Sequence, residues 1–141
     1  MILSSVSEKN TVKIGESFGK KCKGGEVFLL SGELGGGKTQ FVKGLAKSLG
    51  VKDNITSPTF TYEKIYTGKK LTLYHFDLYR EEILDSDIKH LMEEAFTDNA
   101  GVTAIEWADR MGKFKPKNYT EVIFKWVSEN ERKLIINGRL L

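Results

Sequence analysis

One ordered run limits what this chain can fold into. The apolar segment Val27-Phe28-Leu29-Leu30 leads into Gly32-Glu33-Leu34-Gly35-Gly36-Gly37-Lys38-Thr39, and then Phe41, Leu45 and Leu49 recur at helical spacing up to Gly50. An unbroken apolar run of this length predicts a strand buried on both faces, and the spacing after it predicts a helix that stops at a C-terminal glycine. A strand covered on both faces needs helices above and below the sheet, so the run predicts an α/β fold. The loop between strand and helix matches the phosphate-binding P-loop pattern at every specified position. Gly35, Gly36 and Gly37 permit positive φ and let backbone amides approach oxygens that a Cβ would hold off. Lys38 reaches the β and γ phosphates in such a loop, and the Thr39 hydroxyl ligates Mg²⁺. A glycine-rich turn with a surface lysine is the plain alternative, and it gives no reason for the flanking strand and helix.

The chain has 141 residues and 40% hydrophobic content, which suits one domain over residues 1–141 with a single core. Lys+Arg 22 against Asp+Glu 19 leaves a formal charge of +3, too mild to argue for direct nucleic-acid binding. Lysines cluster at Lys20, Lys21 and Lys23 and again at Lys113, Lys115 and Lys117. Such runs read first as solvated faces and second as docking points for an acidic or RNA-bearing partner. The single Cys22 excludes an internal disulfide and a thiolate metal cluster within one chain, and it is expected as a small apolar residue of the first helix. No apolar run approaches membrane-spanning length and the N-terminus lacks a secretory apolar core, so the expectation is a cytosolic protein with no membrane contact.

After a short strand at Ile2-Leu3, Ser7 caps a helix with Val12, Gly15, Phe18 and Cys22 on one side, ended by Gly24-Gly25. The polar segment from Asn54 to Pro58 is a loop entering a strand near Phe60 to Ile65, and Gly68-Lys69-Lys70 turns into a strand over Leu71 to Phe76. Helical spacing with Leu91 and Ala95 lies between Ile83 and Phe96, and Val102 to Ile105 is a further buried strand. Glu121 to Val127 and Lys133 to Ile136 flank Ser128-Glu129-Asn130-Glu131 as a C-terminal β-hairpin. The resulting expectation is a single-domain P-loop NTPase-like fold: a mixed, mainly parallel sheet flanked by helices.

In open α/β sheets, ligands gather beyond the carboxyl ends of the strands. Two apolar runs end there in an acid, Asp77 after Leu71–Phe76 and Glu106 after Val102–Ile105. An acid in that place beside a P-loop holds Mg²⁺ through water or orients the attacking water. Asp77 and Glu106 are therefore the metal and catalytic candidates, with their roles left undivided; a cap or a surface salt bridge is the alternative for each. Thr59, in the loop Thr56-Ser57-Pro58-Thr59, is the candidate sensor of a γ-phosphate, against an ordinary turn stiffened by Pro58. His75 lies two residues before Asp77 and reads as a packed, hydrogen-bonded histidine rather than a proton shuttle. Trp107 suits stacking on a base or partner, or core packing, and Arg80 and Arg110 suit a phosphate or a salt bridge.

Taken in order, the P-loop, Ser57-Pro58-Thr59-Phe60-Thr61, Tyr74-His75-Phe76-Asp77-Leu78-Tyr79-Arg80 and Ile105-Glu106-Trp107 closely resemble the TsaE family, also called YjeE. The resemblance covers nearly the whole chain. It implies a bacterial ATPase that binds ATP and Mg²⁺ and hydrolyses ATP weakly. It also implies TsaD and TsaB as partners in forming threonylcarbamoyladenosine beside the tRNA anticodon, with tRNA met through that complex. By this likeness Lys38 and Thr39 take the phosphate and metal roles, Asp77 and Glu106 the metal and water roles, and Thr59 a switch role. Glu8 and Arg132 resemble family positions near the nucleotide. Gln40 replaces a frequent Thr or Ser; it is grouped with the nucleotide-binding positions, although its side chain lies past the phosphate set. Ala108 replaces a frequent proline and leaves the path through Asp109 and Arg110 open.

Two rivals stand beside the ATPase. A small-molecule kinase would use the same loop, but little chain is left for an acceptor pocket and lid. A nucleotide-sensing assembly subunit with incidental hydrolysis fits equally weak turnover. No Asn-Lys-x-Asp motif points to a GTPase.

Overall fold

The apolar runs at Val27–Gly32 (β2) and Gly101–Glu106 (β5) are buried along nearly their whole length, because each is flanked by strands and covered by helices. They form the centre of the sheet in a computed structural model that describes residues 1–32, 37–58, 62–79 and 84–138. The remaining elements are β1 (Ile2–Ser5), α1 (Glu8–Lys20), α2 (Lys38–Leu49), β3 (Glu63–Tyr66), β4 (Thr72–Asp77), α3 (Ser86–Phe96), β6 (Thr120–Ser128) and β7 (Glu131–Gly138). A 3₁₀ turn occupies Ala108–Met111.

The seven strands among the described residues are ordered β1-β7-β6-β2-β5-β4-β3. The central run β6-β2-β5-β4 is parallel, while β3 and the β7-β1 edge pair antiparallel. The fold is thus the mixed, mainly parallel α/β sheet expected, with the hairpin β6-β7 at its C-terminal side. Because β6, β2, β5 and β4 run the same way, their carboxyl ends share one edge, and residues placed there converge on the loop that follows β2.

Two cores sit on the two faces. On one, α1 and α2 pack over Phe28, Leu30, Leu73, Ala104 and Val122. Phe41 of α2 sits among Phe18, Phe28 and Phe124, with ring centroids 5.9 to 6.0 Å away. On the other, α3 and the 3₁₀ turn cover Val27, Leu29, Phe76 and Ile105. The α1 and α2 backbones touch where both carry glycine: a Cβ on Gly44 would lie 2.0 Å from the Val12 carbonyl oxygen, and one on Gly15 would lie 2.2 Å from that of Phe41. This close approach fixes α2, and with it the loop at its start.

Ser7 caps α1 as expected, its hydroxyl accepting from the Asn10 amide at 3.0 Å. The helix ends earlier than the sequence suggests, at Lys20 with Lys21 as cap. Cys22 is consequently outside the helix, though it is buried at 1% exposure as a small apolar group. In α3, which opens at Ser86 behind its Asp85 cap, the buried positions are Ile88, Met92 and Ala95, while Leu91 falls off that stripe and faces solvent. The strand expected from Phe60 begins at Glu63; Phe60 itself lies outside the described residues. Both lysine clusters are exposed. They lie at the end of α1 and in the connections entering β2 and β6, at the sheet end opposite the P-loop. No helix among the described residues is long and apolar enough to cross a membrane.

Candidate functional site

The site begins at the N-terminus of α2. Gly37 takes φ +97° there, a left-handed conformation that a side chain resists, and no side chain caps the first turn. The positive helix end, left without a side-chain cap, makes that turn suited to an anion. A Cβ on Gly37 would stand 3.5 Å from the Thr11 methyl group, so α1 forms the wall behind the loop.

Lys38 and Thr39 are the first residues of α2, and they face in different directions. Lys38 is 4% exposed. Its ammonium donates to the Gly32 carbonyl at 3.0 Å and lies 4.2 Å from the centre of the Trp107 ring. Burial pushes its pKa below the ordinary 10.5, against the pull of Glu106, Asp109 and Asp77. Thr39 Oγ1 donates to Glu106, at 2.9 Å from Oε1 and 3.0 Å from Oε2.

The two strand-end acids arrive side by side because β4 and β5 pair in register, Asp77 opposite Glu106. Their environments differ. Glu106 is buried at 3% exposure and is also held by His75, whose Nε2 lies 2.6 Å from Oε2. Asp77 is half-buried; it accepts from the Ser57 hydroxyl and, at 2.9 Å, from the Tyr79 amide. Asp77 therefore ties the Ser57 loop and the β4 exit to the site, whereas Glu106 touches the P-loop helix directly.

Trp107, immediately after Glu106, has φ +59° and ψ +41°, the one positive-φ residue besides glycine among those described. This strained placement turns its ring over Lys38 and beside Tyr79, with centroids 5.0 Å apart, and Arg110 approaches at 5.8 Å. The ring packs against the Lys38 ammonium that the P-loop supplies.

Gln40 lies in the first turn of α2, half-buried. Glu8 opens α1 and is exposed, and Arg132 opens β7. Both come to the P-loop end of the sheet, since Ser5 pairs with Arg132 and β6 extends past the level of Gly32. The Arg132 guanidinium donates to the Ser128 and Glu131 carbonyls of its own hairpin and stands over Trp126. Thr59, Gly35, Gly36 and Arg80 lie outside the described residues. Ser57, a residue of the same loop as Thr59 that the sequence did not single out, donates its hydroxyl to Asp77, a contact between residues 20 apart that a loop sequence does not show.

The donors facing the P-loop are the Thr39 hydroxyl and the Glu106 and Asp77 carboxylates, all hard oxygens. Among the described residues no group of three or more His, Cys, Asp or Glu side chains is arranged to hold a metal. That set fits Mg²⁺, which takes one or two protein oxygens and fills its remaining positions with water and phosphate.

A central parallel strand, a glycine loop, a helix opening on Lys-Thr and strand-end acids beside it define a P-loop NTPase-like domain. The family model described as threonylcarbamoyl adenosine biosynthesis protein TsaE matches residues 5–134. The chain belongs to the TsaE family. It is 36% identical to the tRNA threonylcarbamoyladenosine biosynthesis protein TsaE of Treponema pallidum, over 94% of this chain and 96% of that protein. It is 38% identical to the protein of the same name from a Nostoc species, over 89% and 78%. The crystal structure of Bacillus subtilis YdiB superposes with a TM-score of 0.78 at 30% identity, covering 98% of this chain and 84% of that one.

Proposed function

We propose that the chain is a P-loop ATPase that binds Mg-ATP and supports threonylcarbamoyladenosine formation beside the tRNA anticodon by acting on a TsaD–TsaB complex. The observation that carries this reading is the Thr39–Glu106 contact, which joins the P-loop helix to a buried strand-end acid. Family membership supplies the pathway, and the site's chemistry supplies the reaction class.

In this reading the α2 amides and Lys38 bind the polyphosphate, and Lys38 leaves the Gly32 carbonyl to do so. Mg²⁺ would be held by Thr39 with help from Asp77 or Glu106, and would neutralise charge on the transferring phosphoryl group. Glu106, dry and fixed, suits orienting the attacking water. Asp77, half-exposed and tied to the Ser57 loop, suits a water-mediated hold on the metal and a link between phosphate and that loop.

The test is hydrolysis by the isolated chain. We expect slow Mg²⁺-dependent release of phosphate that EDTA abolishes. Glu106→Gln is expected to lower kcat about 100-fold or more while leaving Mg-ATP affinity within several-fold. Wild-type protein that binds no ATP, or Glu106→Gln with unchanged kcat, would overturn the reading. Transfer of labelled γ-phosphate to an acceptor would favour a kinase instead.

A further inference from the structure

His75 is 0% exposed, and His75 and Asp77 point to the same face of β4, toward α2. Its one polar contact among the described residues is Glu106, through Nε2; Nδ1 is buried without a partner there. Glu106 accepts from His75 as it accepts from Thr39, which puts the hydrogen on Nε2. A side chain needed just to fill this slot would be apolar, since a buried nitrogen without a partner has a cost. The use of a histidine therefore lies in its grip on Glu106.

The two Glu106 oxygens are held unequally. Oε1 receives the Thr39 hydroxyl, whereas Oε2 receives Thr39 and His75. A hydroxyl has a single hydrogen to give, which it can still give while a lone pair serves a cation, so Thr39 holds one Glu106 oxygen at a time and lies almost equally near both. The terminal torsion of a glutamate is broad, so a carboxylate held by one shared hydrogen would rock between its two oxygens unless something else held it. We propose that His75 is a positioning residue: it anchors Glu106 through Oε2, which leaves Oε1 to Thr39 and fixes the aim of the carboxylate at the phosphate side. The inference rests on the ATPase reading and adds to it the group that holds the acid still, as second partners do for ligands in metal sites.

Two substitutions separate anchoring from packing. His75→Phe keeps the volume without a donor, and His75→Gln places an amide nitrogen near the position of Nε2. His75→Phe is expected to lower kcat about 10- to 100-fold, while the affinity for Mg²⁺ with a fluorescent ADP analogue stays within about three-fold by direct titration. His75→Gln is expected to recover most of kcat. The chain has 2 histidines, and the other, His90, is exposed, so nitrogen NMR of the nucleotide-free protein resolves the buried ring. It should show a slowly exchanging Nε2–H tautomer whose signal moves in Glu106→Gln. A folded His75→Phe with wild-type kcat, equal losses in both variants, or an Nδ1–H tautomer would overturn the inference. Wild-type protein without hydrolysis would sink the ATPase reading alone, and the tautomer would still decide the contact. If His75→Phe does not fold, His75→Gln and the tautomer carry the decision.

Discussion

Lys38 serves folding and chemistry in opposite ways. Its ammonium is buried against the Gly32 carbonyl and the Trp107 ring, and desolvation holds its pKa below 10.5. A cation whose folded pKa is depressed subtracts stability wherever it is charged in both states. The loss is full below the folded pKa and fades as pH rises through that value toward the unfolded one. Lys38→Met is therefore expected to lose hydrolysis and yet to melt at or above the wild-type Tm near neutral pH, by up to about 4 °C for a domain of this size. The gain should shrink in alkaline buffer. Calorimetry of both proteins across pH checks it, and a Tm well below wild type at neutral pH would mean that the carbonyl and ring contacts outweigh desolvation.

Among elements, the α1–α2 crossing sets where the P-loop ends. Alanine in place of glycine inside a helix normally stabilises by about 1 kcal/mol. At Gly44 the new Cβ would meet the Val12 carbonyl at 2.0 Å and the Glu16 amide nitrogen at 2.6 Å. Gly44→Ala is instead expected to cost about 2–3 kcal/mol, measured by urea denaturation, and to weaken nucleotide binding as α2 shifts. A stabilised Gly44→Ala would show that the helices do not pack this closely. The elements themselves were largely readable: the apolar runs at Val27 and Val102, the P-loop between strand and helix, and the Ser7 cap all declare themselves through local chemistry. What stayed hidden is non-local. His75 reads as a packed histidine, and its partner Glu106 is 31 residues away on the neighbouring strand, where strand register alone brings them together. The Ser57–Asp77 contact joins residues 20 apart and cannot be read from a loop sequence, and the end of α1 at Lys20 rather than Gly24 reflects packing that propensity does not encode.

At the scale of the whole molecule, the sheet separates two ends. The P-loop, Asp77, Glu106, Glu8 and Arg132 lie at the carboxyl end of the central strands, and the exposed lysine clusters lie at the other. The Trp126 and Val127 side chains at the hairpin tip, 51% and 42% exposed, extend the P-loop end beyond the sheet. The proposed hydrolysis site and this exposed hairpin tip share one end of the domain, and in the proposed function hydrolysis there resets a larger complex between cycles. The most direct measurement of that claim is multiple-turnover threonylcarbamoyladenosine synthesis on tRNA, reconstituted with TsaD and TsaB. Wild-type chain with ATP is expected to sustain many cycles. Lys38→Ala, Glu106→Ala, or wild type with a non-hydrolysable ATP analogue is expected to stall within about one. Undiminished turnover with the analogue, or with either variant, would contradict an ATPase that resets the complex and would favour an assembly subunit in its place.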